Sequence, residues 1–124
     1  VAGGRISSPF GWRIHPIFRD RRFHSGIDIA IGTGTPVKAV ADGYVLMAGW
    51  INGYGNTVIL DHGGGLSTLY AHNNSVSTGA GKAVLQGDII CKVGSTGFAT
   101  GPHLHFEVRQ DGSPQNPMSL LPAR

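Results

Sequence analysis

The chain has 124 residues, 40% of them hydrophobic and 14% charged, with a formal net charge of +3 when histidines are neutral. That length suits one domain with a single core, and no run approaches the ~20 apolar residues of a membrane helix. Its 20 glycines are more than twice the usual ~7%, show no Gly-X-Y period, and fall between short apolar runs, which implies many tight turns and a β-rich domain.

The opening residues 1–9 read as a linker or lead-in, and residues 10–124 as the domain. The chain starts at Val1 rather than Met, as an excised domain would, so the missing secretory signal carries no weight on location. Ile6–Pro16 holds two prolines and reads as irregular or as an edge strand. Arg13, Arg19, Arg21 and Arg22 make a basic spot fit to face an anionic polymer. No recognition helix or aromatic-basic pattern accompanies it, so nucleic acid is not an expected partner. Phe23-His24-Ser25-Gly26-Ile27-Asp28-Ile29-Ala30 is extended, because Gly26 and β-branched neighbours oppose a helix. In an extended segment His24 and Asp28 share a face and can share one ion or one hydrogen bond.

Turn-bounded runs follow at Val37–Ala41, Gly43–Trp50, Asn56–His62 and Leu66–His72. The Gly63-Gly64-Gly65 turn makes the last two a hairpin. In Asp88–Val93 the single cysteine, Cys91, alternates with Ile89 and Val93 as a small buried hydrophobe, and no internal disulfide can form. A Gly-rich loop from Ser95 to Pro102 lacks the Gly-Lys-Ser/Thr ending of a phosphate loop. Asn116-Pro117 can start one helical turn that Pro122 stops.

Between those features lies Gly101-Pro102-His103-Leu104-His105-Phe106-Glu107-Val108, which reads as a strand. His103 and His105 then share one face, roughly 7 Å apart at the backbone, while Leu104, Phe106 and Val108 face a core. A catalytic zinc takes three protein ligands and leaves a position for water. His24, Asp28 and one of His103 or His105 supply such a set. The spare histidine and His72, at the end of its predicted strand, remain as imidazoles able to exchange protons near neutral pH. His15 follows no pattern, and His62 begins a glycine turn where solvent is its expected partner.

Taken together, these motifs resemble a known family: the lysostaphin/LytM-type zinc metallopeptidases that cut peptidoglycan peptides. The resemblance runs from about Phe10 to Leu121 and includes Gly11-Trp12-Arg13-Ile14-His15-Pro16, His24-Ser25-Gly26-Ile27-Asp28, Ala41-Asp42-Gly43-Tyr44-Val45, Tyr54-Gly55-Asn56, Leu69-Tyr70-Ala71-His72 and Gly101–Glu107. It implies an all-β fold, an antiparallel β-sheet core with a small second sheet and loops forming a narrow groove. It also implies one zinc ion on His24, Asp28 and His105, with His72 and His103 as the two catalytic histidines. All five positions carry the family's residue. Tyr54 and Asn56, in a Gly-flanked turn, are expected either to line the groove or to serve the turn. The implied protein is an extracytoplasmic, monomeric domain acting on peptidoglycan peptides, in the periplasm, the cell wall or secreted. The alternative is a metal-binding but inactive wall scaffold or activator. A lipoyl-type carrier, suggested by Ala41–Val45 and Gly87–Ile90, is disfavoured because the Ile51–Gly55 turn holds no lysine.

Overall fold

β-Branched and aromatic runs cut by glycines leave the backbone little choice but strands and turns. The computed structural model describes residues 5–8, 11–14, 21–24, 26–95 and 102–115, with side chains from 26 to 95 and from 102 to 115. Among those residues there are twelve strands and no helix. In chain order they are β1 (Arg5–Ser8), β2 (Gly11–Ile14), β3 (Arg21–His24), β4 (Ile27–Ala30), β5 (Pro36–Lys38), β6 (Gly43–Ile51), β7 (Gly55–Gly63), β8 (Leu66–Val76), β9 (Ala83–Val84), β10 (Ile89–Val93), β11 (His103–Gln110) and β12 (Ser113–Gln115). The main sheet runs β1-β4-β11-β8-β7-β6-β9, with β10 joined to β5 and β8, and β12 joined to β11. Strands β2 and β3 form a separate small sheet. Every strand pairing is antiparallel, so the fold is the one the resemblance implied.

The hairpin of β7 and β8 turns at Gly64 and Gly65, whose φ values of 62° and 82° lie where side-chain-bearing residues are strained. Strand alternation then sorts the two faces of β11. Leu104, Phe106 and Val108 are buried with Ile27, Ile29, Val58, Leu60 and Tyr70 in one apolar cluster. Tyr70 packs its ring 5.3 Å from that of Phe106, and its hydroxyl accepts from Thr68 Oγ1 at 3.0 Å and Val40 N at 3.3 Å. Burial pushes the Tyr70 phenol up to about 12, against the opposing effect of those hydrogen bonds. The opposite face of β11 carries His103, His105, Glu107 and Arg109.

Arg5–Ser8, within the expected lead-in to the domain, forms β1 and pairs with β4 at the sheet's edge. Some local readings change. Cys91 is fully buried as expected, but Ile89 is 51% exposed. A register shift between Ile89 and Cys91 breaks the alternation that was to group them. His62 is held by protein groups, its ring nitrogens lying 2.7 Å from Asp42 O and 2.7 Å from Thr68 Oγ1. His24 and Asp28 lie on different strands: β3 ends at His24 in the small sheet, and β4 begins at Ile27 in the main one. His15, residues 96–101 of the expected Gly-rich loop, the helical turn expected at 116–122 and the side chains of His24 and the four arginines lie outside the described residues.

Candidate active site

The site is assembled by register. Strand β4 lies against β11 with Ala30 opposite His103, Asp28 opposite His105 and Ile27 opposite Phe106. Residues directly opposite project from the same face, so the Asp28 carboxylate meets the His105 imidazole. His105 Nδ1 is 2.8 Å from Asp28 Oδ1, and His103 Nε2 is 3.7 Å from the same oxygen. This approach requires Gly26, where a Cβ would collide with the Phe106 carbonyl oxygen and sit 2.8 Å from Glu107 Cγ.

Beneath His105 lies a carboxylate that sequence reasoning had not singled out. Glu107 is fully buried and accepts on both oxygens. Arg109 donates to Oε1 from Nε at 2.9 Å and from a terminal nitrogen at 2.6 Å. On Oε2, the Tyr54 hydroxyl donates at 2.7 Å and His105 Nε2 lies at 2.8 Å. A buried carboxylate so partnered is stable where a lone one would not be. Its signal was available in strand periodicity: Glu107 is the next residue after His105 on that face. For His105, burial works to lower the pKa but is outweighed by the hydrogen bonds and charges of Asp28 and Glu107, which together raise it from 6.5 to about 9.

His72 reaches the site by an irregularity. Between the pairs Asn56–Asn73 and Val58–Tyr70, β7 supplies one residue and β8 supplies Ala71 and His72. This is a bulge, which bends a strand and re-aims a side chain. His72 adopts φ = 62°, uncommon for a residue bearing a side chain, and its N–H donates to Tyr54 O at 2.8 Å. Its ring lies 4.9 Å from that of His103 and 5.9 Å from that of His105. It is 6% exposed, so all three imidazoles sit together, largely out of bulk water.

Tyr54 stacks on His105, with ring centroids 5.5 Å apart and planes inclined by 29°. Asn56 donates to Asn73 O at 3.3 Å and Asn74 O at 3.4 Å. The side chains of Asp28, His72, His103 and His105 therefore converge, Tyr54 braces them, and Asn56 braces the neighbouring turn. Among the described residues no three His, Cys, Asp or Glu side chains make a complete metal-holding set; the third expected ligand, His24, ends β3 with its side chain outside that description. The donor chemistry fits zinc, which takes imidazole nitrogen and carboxylate oxygen. Both carboxylates can accept, so Nε2 of His105 faces Glu107 Oε2 and Nδ1 faces Asp28 Oδ1, each at 2.8 Å.

A buried imidazole–carboxylate pair flanked by two further imidazoles thus stands on one face of an antiparallel sheet, and the comparisons supply the class: a peptidase. Residues 22–117 match Peptidase family M23, and the chain belongs to that family, the one its motifs resemble. It is 53% identical over 116 residues to the DD-carboxypeptidase/endopeptidase Mpg of Neisseria meningitidis serogroup B, covering 94% of this chain and 27% of that protein. To the peptidoglycan DD-endopeptidase ShyA of Vibrio cholerae it is 40% identical over 115 residues, covering 92% and 27%. Among solved structures, a zinc containing peptidase from Vibrio cholerae superposes with a TM-score of 0.86 at 34% identity, over 93% of this chain and 36% of that one. The chain thus spans about a quarter of the length of the curated relatives it matches.

Proposed function

We propose that this chain is a zinc-dependent endopeptidase that hydrolyses peptide cross-links of bacterial peptidoglycan outside the cytoplasm. The observation that carries the reading is the convergence of Asp28, His105, His103 and His72, with one carboxylate oxygen 2.8 Å and 3.7 Å from two imidazole nitrogens. His24, Asp28 and His105 would hold the ion. When bound, zinc supplies Lewis acidity, bringing the pKa of water toward neutrality and polarising a scissile carbonyl.

The protein's own groups do the rest. His72 or His103, when neutral, accepts a proton from the attacking water, and the other donates to the oxyanion or the leaving amine. Their adjacency permits either division of labour. The backbone constraint on His72 holds its ring in place before substrate arrives, so little ordering remains to be done at the moment of reaction. Burial strengthens each of these hydrogen bonds relative to water. The names of the DD-peptidase relatives favour direct D-Ala cross-links over glycine bridges as substrate. The domain acts as a monomer, without nucleic acid.

The test is digestion of purified walls of both cross-link types by the zinc-loaded protein, with mass spectrometry of the fragments. Cleavage at direct D-Ala cross-links, abolished by chelation and restored by zinc, is the expected result. Bound zinc without hydrolysis of either wall would replace this reading with an inactive scaffold or activator.

A further inference from the structure

His105 has two ring nitrogens and only one can face an ion. Which one is decided by what holds the other, and here that partner is built into the sheet. Glu107 lies two residues along the same face, is fully buried, and is fixed before it meets the imidazole. Arg109 grips Oε1 with two nitrogens at 2.9 Å and 2.6 Å, so the carboxylate cannot rotate without losing a charged partner. Tyr54 donates to Oε2 at 2.7 Å and covers His105 with its ring at 5.5 Å. Oε2 is left 2.8 Å from His105 Nε2.

A role limited to neutralising Arg109 would need neither the second oxygen's contact with His105 nor full burial. Arg109 is one-third exposed, and an exposed guanidinium can be satisfied by water. The orientation of Oε2 toward Nε2 is the feature such a role leaves unexplained.

We infer that Glu107 is a positioning residue, held by Arg109 and Tyr54, that fixes His105 with Nε2 protonated and Nδ1 presented to the metal, and so sets the zinc affinity of the site. The inference rests on the proposed zinc peptidase reading. An imidazole whose outer nitrogen is tied to a carboxylate is a stronger and better-oriented ligand, and losing such a partner weakens metal binding ten- to a hundred-fold. Tyr54 acquires a role in the same assembly: its hydroxyl holds the carboxylate.

The experiment compares the wild type with Glu107→Gln, which keeps the side chain's length but replaces the charge and offers an amide N–H to the ring. Zinc alone is titrated against a chromophoric chelator, and thermal melting of the metal-free proteins is recorded alongside. The expected result is a zinc dissociation constant raised about ten- to a hundred-fold, with KM at saturating zinc unchanged. In parallel, long-range proton–nitrogen correlation spectra of the zinc-loaded wild type should show His105 protonated at Nε2 and ligated through Nδ1. That measurement stands even if the variant fails to fold. A folded Glu107→Gln protein with zinc affinity within twofold of wild type overturns the inference, and so does a wild-type His105 protonated at Nδ1. A wild type that binds no zinc overturns the peptidase reading along with it, whereas an active, zinc-binding wild type beside an unaffected variant overturns this inference alone.

Discussion

Gly26→Ala tests whether β4 and β11 must approach as closely as the site implies. Two effects oppose each other. Gly26 is not among the glycines with positive φ, so alanine is compatible with its backbone and should stabilise by about 0.4–1 kcal/mol through the unfolded chain. Against this, the new Cβ would overlap the Phe106 carbonyl oxygen, lie 2.9 Å from the Phe106 carbonyl carbon and 2.8 Å from Glu107 Cγ, where ordinary contact begins at 3.4 Å. Two of those atoms are backbone, so no rotamer change relieves the clash. To bring the Phe106 carbonyl oxygen to ordinary contact the strands must part by roughly 1 Å, and overpacking of this kind costs about 1–3 kcal/mol. The clash wins, and net destabilisation of about 1–2 kcal/mol should lower Tm by several degrees. The parting also pulls Asp28 from His105 and pushes on Glu107. A misplacement approaching 1 Å costs up to about a hundred-fold in rate, so kcat/KM should fall by about ten- to a hundred-fold and zinc affinity should fall with it. Calorimetric melting, chelator competition and wall digestion measure the three quantities. A Gly26→Ala protein that melts higher than wild type and keeps its activity and zinc would show that the strand spacing is not what holds the site.

Three further outcomes are expected. His105→Ala should lose both zinc and activity, whereas His103→Ala should keep zinc and lose activity by about a hundred- to ten-thousand-fold; equal zinc loss in both would mean the pair is divided wrongly. Because the folded metal-free protein raises His105 from 6.5 to about 9, that contribution to stability is complete below about pH 6.5 and lost as pH rises through about 9. Zinc must displace the same proton, so its affinity should climb with pH by about one log unit per unit between pH 7 and 9, and a flat profile there would contradict the arrangement of carboxylates around the ring. Burial pushes the Cys91 thiol up to about 12, so iodoacetamide at pH 8 should label it only after unfolding, and rapid labelling of the native protein would show that β10 opens readily.

What was legible in the sequence was whatever depends on period and punctuation. Leu104, Phe106 and Val108 went to the core and His103 and His105 to the opposite face because alternation along a strand is a local rule. The β7–β8 hairpin followed from three glycines in a row. Cys91 was placed correctly in the core with Val93, but its other expected companion, Ile89, is exposed, because a bulge at Ile90 breaks the same rule. Asp28 could be put on an extended segment, yet its position opposite His105 is a matter of register between strands 77 residues apart in sequence, and no local pattern encodes that.

His72 shows where local reading ends most sharply. Alternation from Tyr70, whose ring packs against Phe106 in the core, would send His72 to the core face and away from His105. The extra residue in β8 and the φ of 62° reverse that direction. Such a conformation costs of order 1–3 kcal/mol in a residue with a side chain and persists only where its surroundings enforce it. Here they do: the His72 N–H is tied to Tyr54 O, and Tyr54 is itself tied through its hydroxyl to Glu107. The turn after β6 thus clamps the backbone of one imidazole and the carboxylate beneath another. Strain at His72 and burial of charge at Glu107 are both local departures from what the sequence would favour, and both meet at Tyr54. A site that must hold three imidazoles and two carboxylates in fixed relation has to override local preference somewhere, and this fold does so at the residues closest to the chemistry.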